Sequence, residues 1–173
     1  MALRLAARLF LAAGVFAATL GTFSAGLFAA DKAAGAELSR AISQAKLFAA
    51  LTDKEKAALE AAASLRRGKK GERIIEQGKS SGAMFIVLEG QAEVRVNGKL
   101  VATLPDQSLV GEIEFLDGLP ASGDVVISKD TSLIVLDNAA LTGLMKKQPR
   151  LGYVLMNEIA RIEARRLRAM NMK

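Results

Sequence analysis

Residues 111–126, with the sequence GEIEFLDGLPASGDVV, carry the clearest chemical pattern in this chain. Gly111 and Glu112 open a short predicted helical turn, and the N-terminus of a helix presents free N–H groups to an anion. The segment therefore has the outline of a phosphate-cradling loop. Ala121, however, occupies the position where such a loop needs a cation, and a buried phosphate without a cationic partner is unfavourable. The sequence predicts only half of an anion site.

The strands that position this loop are predicted from turn residues and periodicity. From Leu65 onward, short β-branched runs are separated by Gly, Asn, Asp and Pro at intervals of about ten residues, which is typical of a small antiparallel barrel or sandwich. Asn97 and Gly98, between alternating apolar residues, predict a hairpin. Strands are expected over residues 84–88, 92–96, 99–104, 125–127 and 132–136.

Helices are predicted on both sides of these strands. Residues 37–63 are Ala-rich and amphipathic, and the capping box formed by Thr52 and Glu55 starts a new helix after a break. Towards the C-terminus, Asn138 is expected to cap a short helix, and Pro149 is expected at the first position of a longer one. The apolar stripe of that longer helix is Leu151, Leu155, Ile159 and Ile162.

The N-terminal segment predicts a membrane anchor. Residues 9–30 are a run of 22 residues without a charge. This run exceeds the roughly 7–15 apolar residues of a signal-peptide core and matches the ~20 needed to span a bilayer. Arg4 and Arg8 precede it, so the positive-inside rule places the N-terminus in the cytoplasm and the rest of the chain outside. The alternative is a signal peptide that is cleaved near Ala36.

The composition excludes several kinds of site. None of the 173 residues is Cys or His, so disulfides, familiar zinc sites and His-dependent catalytic triads cannot form. The net charge is +6, but the basic clusters at 66–73 and 161–168 lack interleaved aromatic residues for base stacking. Glu112 and Glu114 would face different directions on a helical turn and make no acid–base pair. We expect no catalytic residue, metal, cofactor or nucleic-acid partner.

Four motifs in order resemble the cyclic-nucleotide-binding domain family. They are IIEQG at 74–78, MFIVLEG at 84–90, GEI at 111–113, and a terminal helix after Pro149. The resemblance covers roughly residues 47–168 and implies an eight-stranded antiparallel β-roll, similar to that of the catabolite activator protein, flanked by α-helices. Transcription factors of the family continue into a helix-turn-helix module, and we expect no DNA-binding domain here.

The resemblance also implies a phosphate cassette, residues 111–124. In the family, a Glu of this cassette binds the ribose 2′-hydroxyl, and an Arg with backbone N–H groups binds the cyclic phosphate. Asp124 is expected to bring a further carboxylate near the phosphate position, where like charges repel. Cyclic nucleotide is therefore a doubtful ligand. The candidate ligand-binding residues of this degenerate pocket are Gly111, Glu112, Ile113, Ala121 and Ser122, with Ala121 in the place of the Arg.

Taken together, these features predict a mainly β protein with flanking α-helices, in which a single transmembrane helix precedes the roll. The predicted location is a bacterial-type inner membrane, with the domain in the periplasm; the alternatives are the cytoplasmic face or secretion after cleavage. The predicted organisation is a basic flank at 1–8, a transmembrane helix or signal anchor at 9–30, a linker at 31–36, N-terminal helices at 37–64, the β-roll at 65–137 and C-terminal helices at 138–173.

Two functions are compatible with this organisation. The first is a membrane-anchored structural or protein-interaction subunit of a membrane complex, which contacts other subunits or a second copy of itself. The second is a sensor of cyclic nucleotide or another small ligand, which signals through its C-terminal helix or its anchor. An enzyme is not expected, because no acid–base or nucleophilic pair is present.

Overall fold

The computed structural model describes residues 19–172, with side chains from residue 32 onward. A compact unit begins at Glu37. Two short 3₁₀ helices, Lys46–Phe48 and Glu60–Ala62, lie before and after the second α-helix. The α-helices of the described chain are α1 Thr19–Gln44, α2 Asp53–Leu59, α3 Glu112–Asp117, α4 Asn138–Lys147 and α5 Pro149–Asn171.

The strands of the described chain form one antiparallel sheet. They are β1 Ala63–Gly68, β2 Arg73–Ile75, β3 Ala83–Val96, β4 Lys99–Leu104, β5 Leu109–Val110 and β6 Asp124–Asp137. The two long strands, β3 and β6, pair with each other at the centre of the sheet. β6 also pairs with β1 and β2, whereas β3 also pairs with β4 and β5. The sheet thus curls into a roll around two bent strands.

The expectation of eight strands in a mainly β protein is wrong. Six strands are present within residues 19–172, because β3 and β6 each run for 14 residues through the bend of the roll. Their pairing shifts register between Val87 and Ala92. Gly90 has φ +105° at this bend, and a Cβ there would lie 2.4 Å from the carbonyl oxygen of Asp130, so glycine permits the bend. The helices contain more residues than the strands, since α1 and α5 span 26 and 23 residues.

The predicted transmembrane helix is also wrong. Within residues 19–172, no helix is both long enough and apolar enough to cross a bilayer. The described part of α1 includes the charged residues Asp31 and Lys32. The single-pass anchor and the inner-membrane location are therefore wrong; the remaining part of the predicted segment, together with the basic flank, lies outside the described residues.

The helices before the roll are separated by a break, as predicted, and α2 begins after Thr52. Thr52 begins α2 with the predicted capping box, in which its hydroxyl accepts a hydrogen bond from Glu55 N at 3.3 Å. In return, Thr52 N donates to Glu55 Oε2 at 2.8 Å. Residues 31–36, the predicted linker, are helical and lie within α1. The last turn of α1 contributes Ala41 and Ile42 to the buried core, and Ala45, the residue after the helix, is also buried.

The predicted hairpin and C-terminal helices are present, with one change at a helix cap. Asn97 and Gly98 both adopt positive φ between β3 and β4, as a tight hairpin turn requires. Pro149 starts α5 as predicted. The cap of α4 is Asp137 instead of Asn138, because the Asp137 carboxylate accepts from Ala140 N at 2.7 Å.

Buried side chains form two apolar clusters in the described chain. One joins the helices to the sheet, and its members include Phe48, Leu59, Met84, Leu141, Leu155 and Ile159. The other lies inside the roll, and its members include Ile75, Phe85, Val87, Val125, Ile127 and Leu133. The cassette lies beside the second cluster, since Ala121 packs against it.

Candidate functional site

A cavity of about 180 Å³, which we call the roll cavity, opens between the strands of the roll, the cassette and α5. Apolar side chains form most of its wall. The charged residues that line it are Glu112, Glu114 and Arg166. The structure brings all the predicted site residues to this one cavity: Gly111, Glu112, Ile113, Ala121 and Ser122.

The backbone at Gly111 allows the cassette to approach β3. Gly111 has φ +83°, and a Cβ there would lie 2.6 Å from the carbonyl oxygen of Ala83. No other residue type fits so close to a backbone oxygen in this left-handed conformation. The glycine directs the chain from β5 into α3, so that Glu112 points inward while Ile113 is exposed.

Glu112 is a buried carboxylate with one paired and one unpaired oxygen. Only 3% of the residue is exposed. Arg166 Nη1 donates to Glu112 Oε1 at 2.5 Å, whereas Oε2 has no hydrogen-bond partner among the described residues. Desolvation by burial raises the pKa of Glu112, although the Arg166 guanidinium acts in the opposite direction. The site thus holds a carboxylate that is only partly satisfied.

Arg166 is a cavity residue that sequence reasoning missed. Its Nη2 donates to the carbonyl oxygen of Leu109 at 2.5 Å, and its Nη1 also donates to Glu163 Oε1 at 2.9 Å. The signal was present in α5, because Arg166 lies four residues after Ile162 and so continues the apolar stripe at helical spacing. A guanidinium is therefore present at the cavity, but it comes from α5 and not from the cassette.

Ala121 places no charge at the cavity, and its backbone groups are already bonded. Its N–H donates to the Lys79 carbonyl oxygen at 3.0 Å, and its own carbonyl accepts from Gly78 N at 2.8 Å. The backbone N–H that could support an anion at this position is thus used by the neighbouring turn. Ser122, which follows it, is exposed at the cavity rim.

Asp124 lies away from the roll cavity, contrary to the expectation that it would approach a phosphate. Its Oδ1 accepts from Gln77 N at 2.9 Å and lies 3.7 Å from Arg73 Nη1. Asp124 therefore ties the start of β6 to the turn after β2. The arginine on the hairpin, Arg95, donates to Glu93 at 2.7 Å. Neither Arg73 nor Arg95 lines the cavity.

Glu114 connects the cassette to the loop before β3. Its carboxylate accepts hydrogen bonds from the Ser80 hydroxyl, from Ser81 N at 2.9 Å and from Gly82 N at 3.0 Å. Burial by itself raises the pKa of this group, but the donors outweigh burial and hold the pKa at about 2. Glu114 is therefore a structural carboxylate, and its charge is already satisfied.

A curled antiparallel sheet with a Gly–Glu turn beside its cavity is the arrangement expected from the family that the sequence motifs resemble. Residues 65–148 match the family model described as the cyclic nucleotide-binding domain. The resemblance predicted from the sequence is therefore confirmed, and this part of the chain is a cyclic-nucleotide-binding-like domain. No DNA-binding domain is evident among the described residues.

Individual proteins support the same assignment. The chain is 32% identical over 114 residues to the Pycsar effector protein XpPycTIR of Xanthomonas perforans; the match covers 65% of this chain and 36% of that protein. The chain thus spans about a third of this curated relative. A cyclic nucleotide-binding domain from Methylobacillus flagellatus KT superimposes with a TM-score of 0.67 at 22% identity, covering 78% of this chain and 79% of that one. The catabolite activator protein of Thermus thermophilus gives 0.61 at 27%, covering 73% and 60%.

Proposed function

We propose that this chain is a structural or protein-interaction module whose cyclic-nucleotide-binding-like domain works without a cyclic nucleotide. The main observation behind the proposal is that the guanidinium of Arg166 already has hydrogen-bond partners within the protein. It is the one cation among the lining residues of the described chain, and it already contacts Glu112, Glu163 and the Leu109 carbonyl. A phosphate in the cavity would compete with two carboxylates for this guanidinium.

The relatives are consistent with such a role. The matching stretch of the Xanthomonas protein is a part of a longer effector protein, so a domain of this kind acts there beside other protein segments. By analogy, the domain in this chain serves to contact or control protein partners. The expected absence of catalysis follows from the same reasoning, since the polar groups of the cavity include no nucleophile paired with a base.

Calorimetry of the full chain with cyclic AMP and cyclic GMP tests this proposal. Removing one partner of a buried charge pair costs about 2–5 kcal/mol, or roughly 30- to several-thousand-fold in affinity. We therefore expect dissociation constants weaker than about 10 μM. Tighter binding of either nucleotide would contradict the proposal.

Substitution at Ala121 provides the matched comparison. Ala121→Arg supplies a cation at the cassette and should raise cyclic nucleotide affinity at least about tenfold. Ala121→Gln adds a shorter polar side chain without a charge and should give no such gain. An equal gain in both variants would show that the missing charge is not what limits binding.

A second function, the sensing of a small ligand, is favoured by a different observation. Glu112 Oε2 is buried without a donor among the described residues, and buried acceptors are normally hydrogen-bonded. Its neighbouring oxygen is bonded to α5 through Arg166. A ligand at Glu112 would therefore affect the C-terminal helix directly.

A further inference from the structure

The helix α5 has a second face that no other part of the described chain covers. Its buried residues Leu151, Leu155 and Ile159 face the core. On the opposite side of the helix, Tyr153 and Leu167 are 71% and 60% exposed. Large apolar side chains that lie in one row on a surface indicate a place where another molecule packs.

The residues of this face, which we call the α5 seam, have the spacing of helix-to-helix packing. They lie alternately four and three residues apart in the sequence, and this repeat keeps side chains in one row towards a partner helix. The row is about 27 Å long at 1.5 Å per residue. The members of the α5 seam are Tyr153, Asn157, Ala160, Ala164, Leu167 and Asn171.

The centre of the α5 seam is narrow. Ala160 and Ala164 are exposed and lie one turn apart, between the larger side chains of Tyr153 and Leu167. Because their side chains are small, a facing helix can approach closely, and dense packing then requires large apolar residues on that helix. The α5 seam therefore fits a helix with leucine or isoleucine opposite the alanines.

One flank of the α5 seam is basic. Arg161 and Arg168 directly follow the seam residues Ala160 and Leu167, so the two arginines lie on the same side of the row. Arg161 is 60% exposed and contacts Glu158. Arg168 is exposed and forms no ion pair among the residues that the structure describes. Charges at such flanking positions determine partner choice, and two arginines favour carboxylates.

A second copy of the chain is a poor occupant of the α5 seam. In a parallel pair, each alanine would face its own copy and leave a layer without a large side chain. In an antiparallel pair, Arg161 and Arg168 would lie next to the same arginines of the other copy, and like charges repel. The carboxylate on the other flank, Glu163, already accepts a hydrogen bond from Arg166 at 2.9 Å. Size and charge both favour a different helix.

We propose that the α5 seam is the docking surface for an acidic amphipathic α-helix of a partner protein. Large apolar side chains of that helix pack against Ala160 and Ala164, and its carboxylates face Arg161 and Arg168. This inference rests on the proposed function as a protein-interaction module. It deepens that function because it names the surface and the chemistry of the partner.

Two synthetic helical peptides of about 21 residues, or three heptads, test the inference with the full chain. Both peptides carry leucine at their seam positions, and they differ in the flanking residues, which are glutamate in one and lysine in the other. Fluorescence anisotropy of the labelled peptides measures binding. We expect the glutamate peptide to bind at least about tenfold tighter than the lysine peptide. Equal binding of both, or no binding of the glutamate peptide, overturns the inference.

Three variants of exposed residues assign the binding to the α5 seam. Arg168→Glu should weaken binding of the glutamate peptide at least about tenfold, because it replaces attraction by repulsion. Ala160→Leu should also weaken it, since the larger side chain keeps the leucines of the peptide at a distance. Arg67→Glu makes the same charge change at an exposed position of β1 and is the matched control, with an expected change within about twofold. Unchanged binding in both seam variants would place the peptide on another surface and overturn the inference.

Light scattering of the full chain examines the alternative occupant. A dimer that dissociates on Ala160→Glu would make a second copy the occupant of the α5 seam, and the inference would then be wrong. Failure of the peptide test leaves the proposed function standing, because that function requires only that cyclic nucleotides bind more weakly than about 10 μM. Tighter nucleotide binding contradicts the proposed function whatever the peptides do.

Discussion

At the scale of single residues, two glutamates of the same short helix have opposite environments. Glu114 accepts hydrogen bonds from a loop that precedes β3, and its pKa falls to about 2. Glu112 has one oxygen bonded to Arg166 and one without a donor among the described residues, and burial raises its pKa. The first carboxylate holds the cassette in place, whereas the second keeps one oxygen unsatisfied within the described chain.

The low pKa of Glu114 predicts a pH-dependent contribution to stability. Its pKa is lowered from 4.5 to about 2, so the ionised form stabilises the fold above the unfolded pKa. This contribution is lost as the pH falls through about 2. Glu114→Gln should destabilise the protein by about 1–3 kcal/mol at pH 7, because the amide accepts fewer of the donors.

Urea unfolding of both proteins between pH 7 and pH 2 measures this contribution. The difference in unfolding free energy should shrink as the pH falls below about 4.5. Glu60→Gln is the control, since Glu60 is exposed and should give a difference within about 0.5 kcal/mol. A difference between Glu114→Gln and the unmodified chain that does not vary with pH would show that the carboxylate charge is unimportant.

At the scale of secondary-structure elements, α5 is held at three places along its length. Arg150 in its first turn donates to Glu55 of α2, which holds the pKa of Glu55 at about 2. The middle of the helix is buried through Leu155 and Ile159. Arg166 bonds to the cassette near the end of the helix. Polar contacts thus fix both ends of α5, and apolar packing fixes its centre.

The buried middle of α5 predicts a large effect of a single truncation. Leu155 is 1% exposed, and Leu155→Ala should destabilise the fold by about 2–5 kcal/mol because it leaves a cavity in the core. Tyr153, two residues earlier, is 71% exposed. Tyr153→Ala should change the unfolding free energy by only about 0.5 kcal/mol. Equal losses in the two variants, measured by urea unfolding, would contradict this description of α5.

Local signals in the sequence predicted elements well, whereas contacts between distant residues were harder to predict. Thr52 and Asn97 act on their neighbours, so the capping box and the hairpin could be read directly. Arg166 and Glu112 are 54 residues apart, and their pairing depends on how α5 packs against the roll. The predicted number of strands was wrong for a similar reason. Gly90 lets β3 bend against the distant residue Asp130 and continue as one strand, where the sequence pattern predicted a turn.

At the scale of the whole molecule, the helices before and after the roll share one apolar cluster. Ile42 at the end of α1 and Phe48 in the following 3₁₀ helix belong to the same cluster as Leu155 of α5. The backbone N–H of Lys46 also donates to Gln107 Oε1 at 2.9 Å, which ties this segment to the loop between β4 and β5. The roll is thus enclosed by helices that are distant in sequence.

This shared cluster predicts where an independently folding unit begins. A fragment of residues 37–173 retains the whole compact unit and should melt within a few degrees of the full chain. A fragment of residues 46–173 loses Ile42, which is 1% exposed. Burial of such a side chain contributes about 1.5–3 kcal/mol, and each kcal/mol corresponds to several degrees for a domain of this size. The shorter fragment should therefore have a clearly lower melting temperature.

Circular dichroism measures the melting temperatures of both fragments. Equal values would mean that α1 contributes nothing to the core. If the fragment of residues 37–173 is unfolded, the boundary of the folding unit lies before Glu37.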